Sequence, residues 1–205
     1  MIEKSPAAKP FLGLRKVFHV VNSSVVPIIY WFLPFIDTAE EGRVFLLTLL
    51  FCALVLYVLF DGARLLSPSF NRFIMARFSL LIRQSEERSF TGATFVCLSY
   101  IVVVFFFTRE IAVASMLFLT LGDTAAEITG KNWGRRKYLG RSLEGMGGFF
   151  TVAVPVAWII LQDWRVAVMG AALGALVEFF SIGIDDNLTV PIGSAIALWA
   201  LTTFI

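Results

Sequence analysis

Val44–Phe60 reads VFLLTLLFCALVLYVLF, an unbroken apolar run that ends at Asp61. A helix needs about 20 mainly apolar residues to cross roughly 30 Å of hydrocarbon, and with the residues up to 63 this run reaches that length. It therefore reads as a membrane-spanning helix. The whole chain has the same bias. Of its 205 residues 58% are hydrophobic and 16% charged, against about 45–50% and about 25% in an ordinary soluble domain.

Outward from that run, the segments 17–36, 44–63, 91–108, 109–129, 147–162, 165–182 and 188–205 read as seven spans. They predict an all-α integral membrane protein with one membrane domain over 1–205. The fourth segment qualifies only if Asp123 and Glu127 are accepted inside it. The first follows Lys4, Lys9, Arg15 and Lys16. It is too long for the apolar part of a signal peptide and no small-residue cleavage site follows, so it reads as a retained span. Between the second and third spans, 70–88 sets Phe73, Ile74, Phe78, Leu81 and Ile82 against Arg72, Arg77, Arg83 and Arg88. That spacing predicts an amphipathic helix on the inner membrane surface.

The charges orient the chain. With the N-terminus inside, the inner segments carry Lys4, Lys9, Arg15 and Lys16, then Arg64, Arg72, Arg77, Arg83 and Arg88, then Lys131, Arg135, Arg136, Lys137 and Arg141. The outer segments keep Arg43, Arg109 and Arg165 of the 17 basic residues. Cytoplasmic loops are enriched in Lys and Arg, so the expected topology has the N-terminus in the cytoplasm and the C-terminus on the opposite side. Cys52 and Cys97 are isolated and His19 is the single histidine. A disulfide framework or a His-ligated metal is therefore not expected.

Six acids stand out because they fall at the predicted inner ends of spans: Asp61, Asp123, Glu127, Glu178, Asp185 and Asp186. A carboxylate at the centre of a spanning helix costs about 2.5–3.5 kcal/mol on insertion scales, so such groups pair or work. Asp123 and Glu127 are four apart and share a helix face, with Lys131 continuing the stripe. A cation between the two acids, for which Mg²⁺ suits a phosphate-bearing site, is one reading. An ion pair of Glu127 with Lys131 or an arginine is the other. Gly170, Gly174 and Glu178 repeat at four-residue spacing, which brings a neighbouring helix close and puts Glu178 against it. Asp185-Asp186-Asn187 suits a helix N-cap equally well as a polar site. Pro191 removes one backbone bond, leaving a carbonyl for other use. The segment 130–148 combines Lys131, Arg135, Arg136, Lys137 and Arg141 with five further glycines, a composition fit for phosphates, though it contains no GxxxxGK[ST] loop.

In these residues the chain resembles the CTP-dependent polyprenol and lipid kinases, the family of dolichol kinase, phytol kinase and the yeast-type diacylglycerol kinase. Leu121-Gly-Asp-Thr-Ala-Ala, Gly130, Gly134 and Arg141-Ser-Leu-Glu-Gly145 are similar to its first long signature. Glu178 with Asp185-Asp186-Asn-Leu-Thr-Val-Pro191 is similar to its second. Arg15-Lys16-x-x-His19, Asp61-x-x-Arg64, Arg83-x-x-Glu86 and Thr91-Gly-Ala-Thr94 resemble shorter motifs in the same order. Arg141 stands where many members carry Lys.

The resemblance implies transfer of the terminal phosphoryl group of CTP to the hydroxyl of a membrane lipid alcohol at the cytoplasmic face. It implies nucleotide-bound Mg²⁺ as cofactor, and a lipid and a nucleotide rather than a nucleic acid as partners. It gives catalysis to Asp123, Glu127 and Asp186 and metal binding to Asp123, Glu178, Asp185 and Asp186. Nucleotide and phosphate binding fall to Lys131, Arg135, Arg136, Arg141, Ser142 and Asn187, with His19, Asp61, Arg83 and Glu144 in support. Diacylglycerol, a polyprenol, dolichol and phytol all offer a hydroxyl on an apolar tail, and the residues do not choose among them. The competing readings are a cytidylyltransferase that makes a CDP-lipid and, more distantly, a small ion-coupled transporter. A transporter site usually lies near the midplane between internal repeats, whereas here the acids crowd one end.

Overall fold

Lipid offers the backbone no hydrogen-bond partners, so apolar runs must satisfy themselves as helices. The computed structural model, which describes residues 11–32, 39–78, 82, 84–138, 140–181 and 183–205, is accordingly almost all helix. In chain order these are α1 (Phe11–Phe32), α2 (Ala39–Leu66), α3 (Pro68–Arg77), a 3₁₀ turn (Gln84–Arg88), α4 (Gly92–Phe106) and α5 (Arg109–Leu117). A π-helical segment (Phe118–Asp123) leads into α6 (Thr124–Trp133). A short hairpin of β1 (Lys137–Tyr138) and β2 (Arg141–Ser142) precedes α7 (Leu143–Leu161), α8 (Trp164–Phe180) and α9 (Asp186–Phe204). Four stretches are long and apolar enough to cross a membrane: Glu40–Leu66, Arg109–Trp133, Leu143–Leu161 and Asp186–Phe204. Val20–Phe32 and Gly92–Phe106 are shorter apolar helices. The chain is an all-α, multi-pass membrane protein.

The core sits where α9 packs against α4, α5 and α8, with α7 laid across α6 and α8. Small side chains bring these helices together: Ala112, Ala114, Ala153, Ala157, Ala167, Ala171 and Ala195 are wholly buried. The Gly170–Gly174 face does what its spacing predicts. A Cβ on Gly170 would stand 2.3 Å from Leu198 of α9, and one on Gly174 2.9 Å from Phe118. Glu178 follows on that face and is buried. By contrast α2 buries little and leaves Val44, Phe45, Leu49, Phe51 and Leu59 exposed, as expected of a helix facing lipid.

The two ends of the bundle differ in their polar contacts. At one end the Arg109 guanidinium lies 5.1 Å from the centre of the Trp31 ring, and Arg43 donates to the carbonyls of Val104 (3.0 Å) and Phe105. At the other end the last turns of α2, α6 and α8 meet the first turns of α4, α7 and α9.

Three boundaries depart from expectation. The amphipathic stretch 70–88 is not one helix. α3 starts at Pro68 behind the Ser67 cap and ends at Arg77, and a separate 3₁₀ turn follows. The buried Arg64 guanidinium donates to the carbonyls of Glu86 (2.9 Å) and Ser89 (2.6 Å), which holds this turn against the end of α2. The fourth segment runs on to Trp133 and is interrupted by π-helical turns. The fifth begins at Leu143, because the Ser142 hydroxyl accepts the Gly145 N–H at 3.0 Å and caps α7.

Candidate active site

The π-helical segment ends on Asp123. Such turns insert an extra residue into a helix, re-aim the side chains that follow, and recur at functional sites. Here the Thr124 hydroxyl donates to the Thr120 carbonyl (2.7 Å) within this distortion, and Asp123 and Glu127 both face a cavity of about 1570 Å³. Glu127 forms an ion pair with Lys131, the i,i+4 alternative that the sequence left open.

The polar end of the cavity draws on α6, the hairpin, α8 and α9. Arg141 of β2 joins them: one guanidinium nitrogen pairs with Glu178, and the other lies 3.5 Å from Asp186 Oδ2 and 3.5 Å from the Ser181 carbonyl. Lys131, Lys137, Arg141, Ser142, Glu178, Asp186 and Asn187 all line this end. The first turns of α7 and α9 also reach it through Gly145 and Asn187. Helix N-termini carry partial positive charge, so they favour phosphate there.

Asn187 shows how tertiary contacts complete a local signal. Pro191 has no N–H, so the Asn187 carbonyl four residues back loses its helical partner, and Ser99 Oγ donates to it at 2.8 Å. The freed carbonyl anticipated from the sequence is thus used to tie α9 to α4. Pro27 does the same in α1, where the Ser23 carbonyl accepts the Tyr100 hydroxyl at 3.1 Å. On the other side of Asn187, its amide nitrogen would lie 2.7 Å from a Cβ on Gly92, and the Gly92 N–H donates to Glu86 Oε1 at 3.3 Å.

The glycines of 130–148 prove to be spacers between α6 and α7. A Cβ on Gly145 would stand 2.8 Å from the Ala126 carbonyl oxygen, one on Gly130 2.8 Å from Ser142 Oγ, and one on Gly148 2.4 Å from Thr129 Oγ1. Gly140, at φ +88°, makes the hairpin turn.

Several expected site residues stand elsewhere. Asp185 caps α9 by accepting the Asn187 N–H at 2.9 Å and does not line the cavity. Arg135 and Arg136 are exposed and outside its lining, and Glu144 accepts the Arg136 N–H at 3.3 Å, bracing the hairpin. Asp61 and Arg64 form a wholly buried ion pair behind the cavity wall. The Asp61 carboxylate also accepts the Thr91 N–H (2.9 Å) and hydroxyl (3.0 Å) and the Thr94 hydroxyl (2.7 Å), which fixes the start of α4. The His19 side chain and Arg83 lie outside the described residues.

The structure adds Glu86, Thr91, Lys137 and Tyr100 to the lining. Glu86 and Thr91 stood in quoted motifs and Lys137 in the basic loop. Only Pro27 hinted at Tyr100, by freeing a carbonyl that needed a donor. Among the described residues no group of three or more His, Cys, Asp or Glu side chains is gathered to hold a metal. Mg²⁺ commonly binds through one or two carboxylates together with substrate phosphates and water, and the carboxylates on the cavity wall fit that mode.

No family model matches the chain, and no solved structure does. Curated relatives do match. CTP-dependent diacylglycerol kinase 1 of Schizosaccharomyces pombe is 28% identical over 161 residues, 69% of this chain and 74% of the relative. The protein of the same name in Saccharomyces cerevisiae is 28% identical over 91% of this chain and 72% of its own length. In sequence the chain is thus similar to CTP-dependent diacylglycerol kinases. A phytol kinase of Synechocystis is also similar, 31% identical over 57% of each chain.

Proposed function

We propose that this protein transfers the terminal phosphoryl group of CTP to the hydroxyl of a membrane lipid alcohol. The observation that carries the reading is the continuity of one cavity. Its polar end holds Lys131, Lys137, Arg141 and the acids Glu86, Asp123, Glu127, Glu178 and Asp186, and its other end is lined mainly by apolar residues of α1, α2 and α4. A nucleotide triphosphate suits the first and a lipid tail the second.

Phosphoryl transfer depends on positioning and charge neutralisation, with little covalent work for the protein. Lys131, Lys137 and Arg141 bind phosphate oxygens, assisted by the N-termini of α7 and α9, while Asn187 bonds the nucleotide. Glu178 anchors Arg141 from its buried position. Asp123, on the cavity wall at the end of the π-helical segment, accepts the hydroxyl proton as the lipid oxygen attacks the terminal phosphorus and CDP leaves. Asp186, Glu127 and Asp123 on the cavity wall would hold nucleotide-bound Mg²⁺, which would supply further charge neutralisation. The membrane arrangement we infer with this is seven crossings in one domain, the N-terminus cytoplasmic, the C-terminus opposite and the site facing the cytoplasm.

The test is to incubate purified protein and Mg²⁺ with γ-labelled and α-labelled CTP or ATP and a panel of lipid alcohols. A γ-labelled phospholipid with release of CDP is expected, and Asp123→Asn should lower the rate by at least about 100-fold. An α-labelled CDP-lipid would establish the cytidylyltransferase reading instead. Full activity in a folded Asp123→Asn protein would overturn the central assignment.

A further inference from the structure

The cavity has two openings of opposite chemistry. At the polar opening the exposed lining residues are Lys131 and Lys137. The other exposed lining side chains are mainly apolar: Asn22 and Val25 on α1, Leu56, Tyr57 and Phe60 on α2, and Phe78 just after α3, with Leu56 67% exposed although it lines the cavity. Exposure on a membrane-crossing helix is exposure to hydrocarbon, so this second opening faces the bilayer sideways.

The arrangement of the helices explains the gap. α1 leans on α5 and α2 leans on α4, while α1 and α2 touch each other sparingly. α4 closes the back of the gap with Val96, Cys97 and Tyr100. The lining of α2 runs from Leu50 to Phe60. At 1.5 Å rise per residue that is about 15 Å, half of the roughly 30 Å hydrocarbon thickness, or the depth of one leaflet.

Building on the kinase reading above, we infer that the gap between α1 and α2 is a lateral portal. Through it a membrane-resident lipid alcohol slides its hydroxyl to the phosphate end while its tail stays in the leaflet. The slot is open along its side, so a tail longer than the cavity runs out into the bilayer, and the protein reads the head of its substrate more than the length of the tail. Tyr100, Ser23 and Asn22, the polar groups along the path, meet the head as it passes.

The experiment uses the full chain in phosphatidylcholine vesicles containing diacylglycerol with a photoactivatable acyl chain, irradiated without nucleotide. Labelling should concentrate on the cavity-lining residues of α1 and α2. It should fall about tenfold when the slot is filled by Ala53→Trp, or from the opposite wall by Val26→Trp, should the first fail to fold. Leu49→Trp, on the outward face of α2, should leave it unchanged. Labelling spread evenly over the outward residues of α2, or left unaltered by a folded slot-filling variant, overturns the portal. A second arm compares phosphorylation of long-chain alcohol in vesicles with that of a short-chain alcohol dispersed in water. The slot-filling variants should lower phosphorylation of the vesicle-borne alcohol about tenfold relative to the water-borne one, and an equal loss on both, or no loss, counts against the portal. Absence of phosphorylation of any alcohol by the unaltered protein defeats the kinase reading alone, because the labelling still decides the portal.

Discussion

Replacing Arg64 by Met removes a guanidinium that is wholly buried and bonded on all sides. It donates to Asp61 Oδ1 (3.0 Å), Asn71 Oδ1 (3.0 Å) and the carbonyls of Glu86 (2.9 Å) and Ser89 (2.6 Å). Without it Asp61 is left as a buried anion. Breaking a buried ion pair by removing one partner costs about 3–5 kcal/mol. Two terms move the figure within that range. The other carboxylate oxygen keeps its three donors from Thr91 and Thr94, which lowers the cost. The Glu86 carbonyl loses a charged donor, which raises it, whereas Ser89 is exposed and can take water instead. Arg64→Met should therefore destabilise the protein by about 3–4 kcal/mol. The double variant Asp61→Asn/Arg64→Met carries no buried charge and should recover at least half of that loss. Unfolding in mixed micelles of rising SDS content measures both, and the double-mutant cycle isolates the coupling. A loss below about 1 kcal/mol in Arg64→Met, or a double variant less stable than the single, would refute the argument that an uncompensated buried charge governs this corner.

Adding one methyl group separates the roles of two neighbouring glycines. Gly145→Ala places a Cβ 2.8 Å from a backbone carbonyl that cannot rotate away and should lower the unfolding midpoint sharply, whereas Gly147→Ala meets nothing within 4 Å and should raise stability by about 0.5–1 kcal/mol through helix propensity. Ser99→Ala leaves the Asn187 carbonyl without its donor and should cost about 1–2 kcal/mol in the same assay, with a loss of kinase rate because Asn187 is released. Arg141→Lys keeps the charge but loses the planar fork that reaches Glu178 and Asp186 together, so KM for CTP should rise at least about tenfold at unchanged fold. An Arg141→Lys enzyme with ordinary KM would remove Arg141 from nucleotide binding.

Much of the candidate site was legible because its signals are local. Glu127 and Lys131 pair across one helical turn, Asp185 caps the helix that begins after it, and Pro191 frees the carbonyl four residues earlier. The π-helical distortion before Asp123 was not legible, since it reflects how α5 and α6 must each fit their neighbours. The break at Arg77 was hidden for a similar reason. The amphipathic pattern of 70–88 favours a helix, but the partner that holds the turn after the break, Arg64, lies on α2.

The sequence by itself determined that the chain is a bundle of membrane helices with its unusual charges at one end. In lipid each apolar run must satisfy its own backbone, so length and composition suffice to form the helix. Only the tertiary structure decided which faces meet: Arg141 with Glu178, Asp61 with the start of α4, Gly145 against Ala126, and α1 apart from α2. A helix surrounded by lipid is apolar all round, so no polar stripe marks its inner face. Helix pairing is then set by the shape of small residues and by single polar contacts between distant positions, which exist only once the chain has folded.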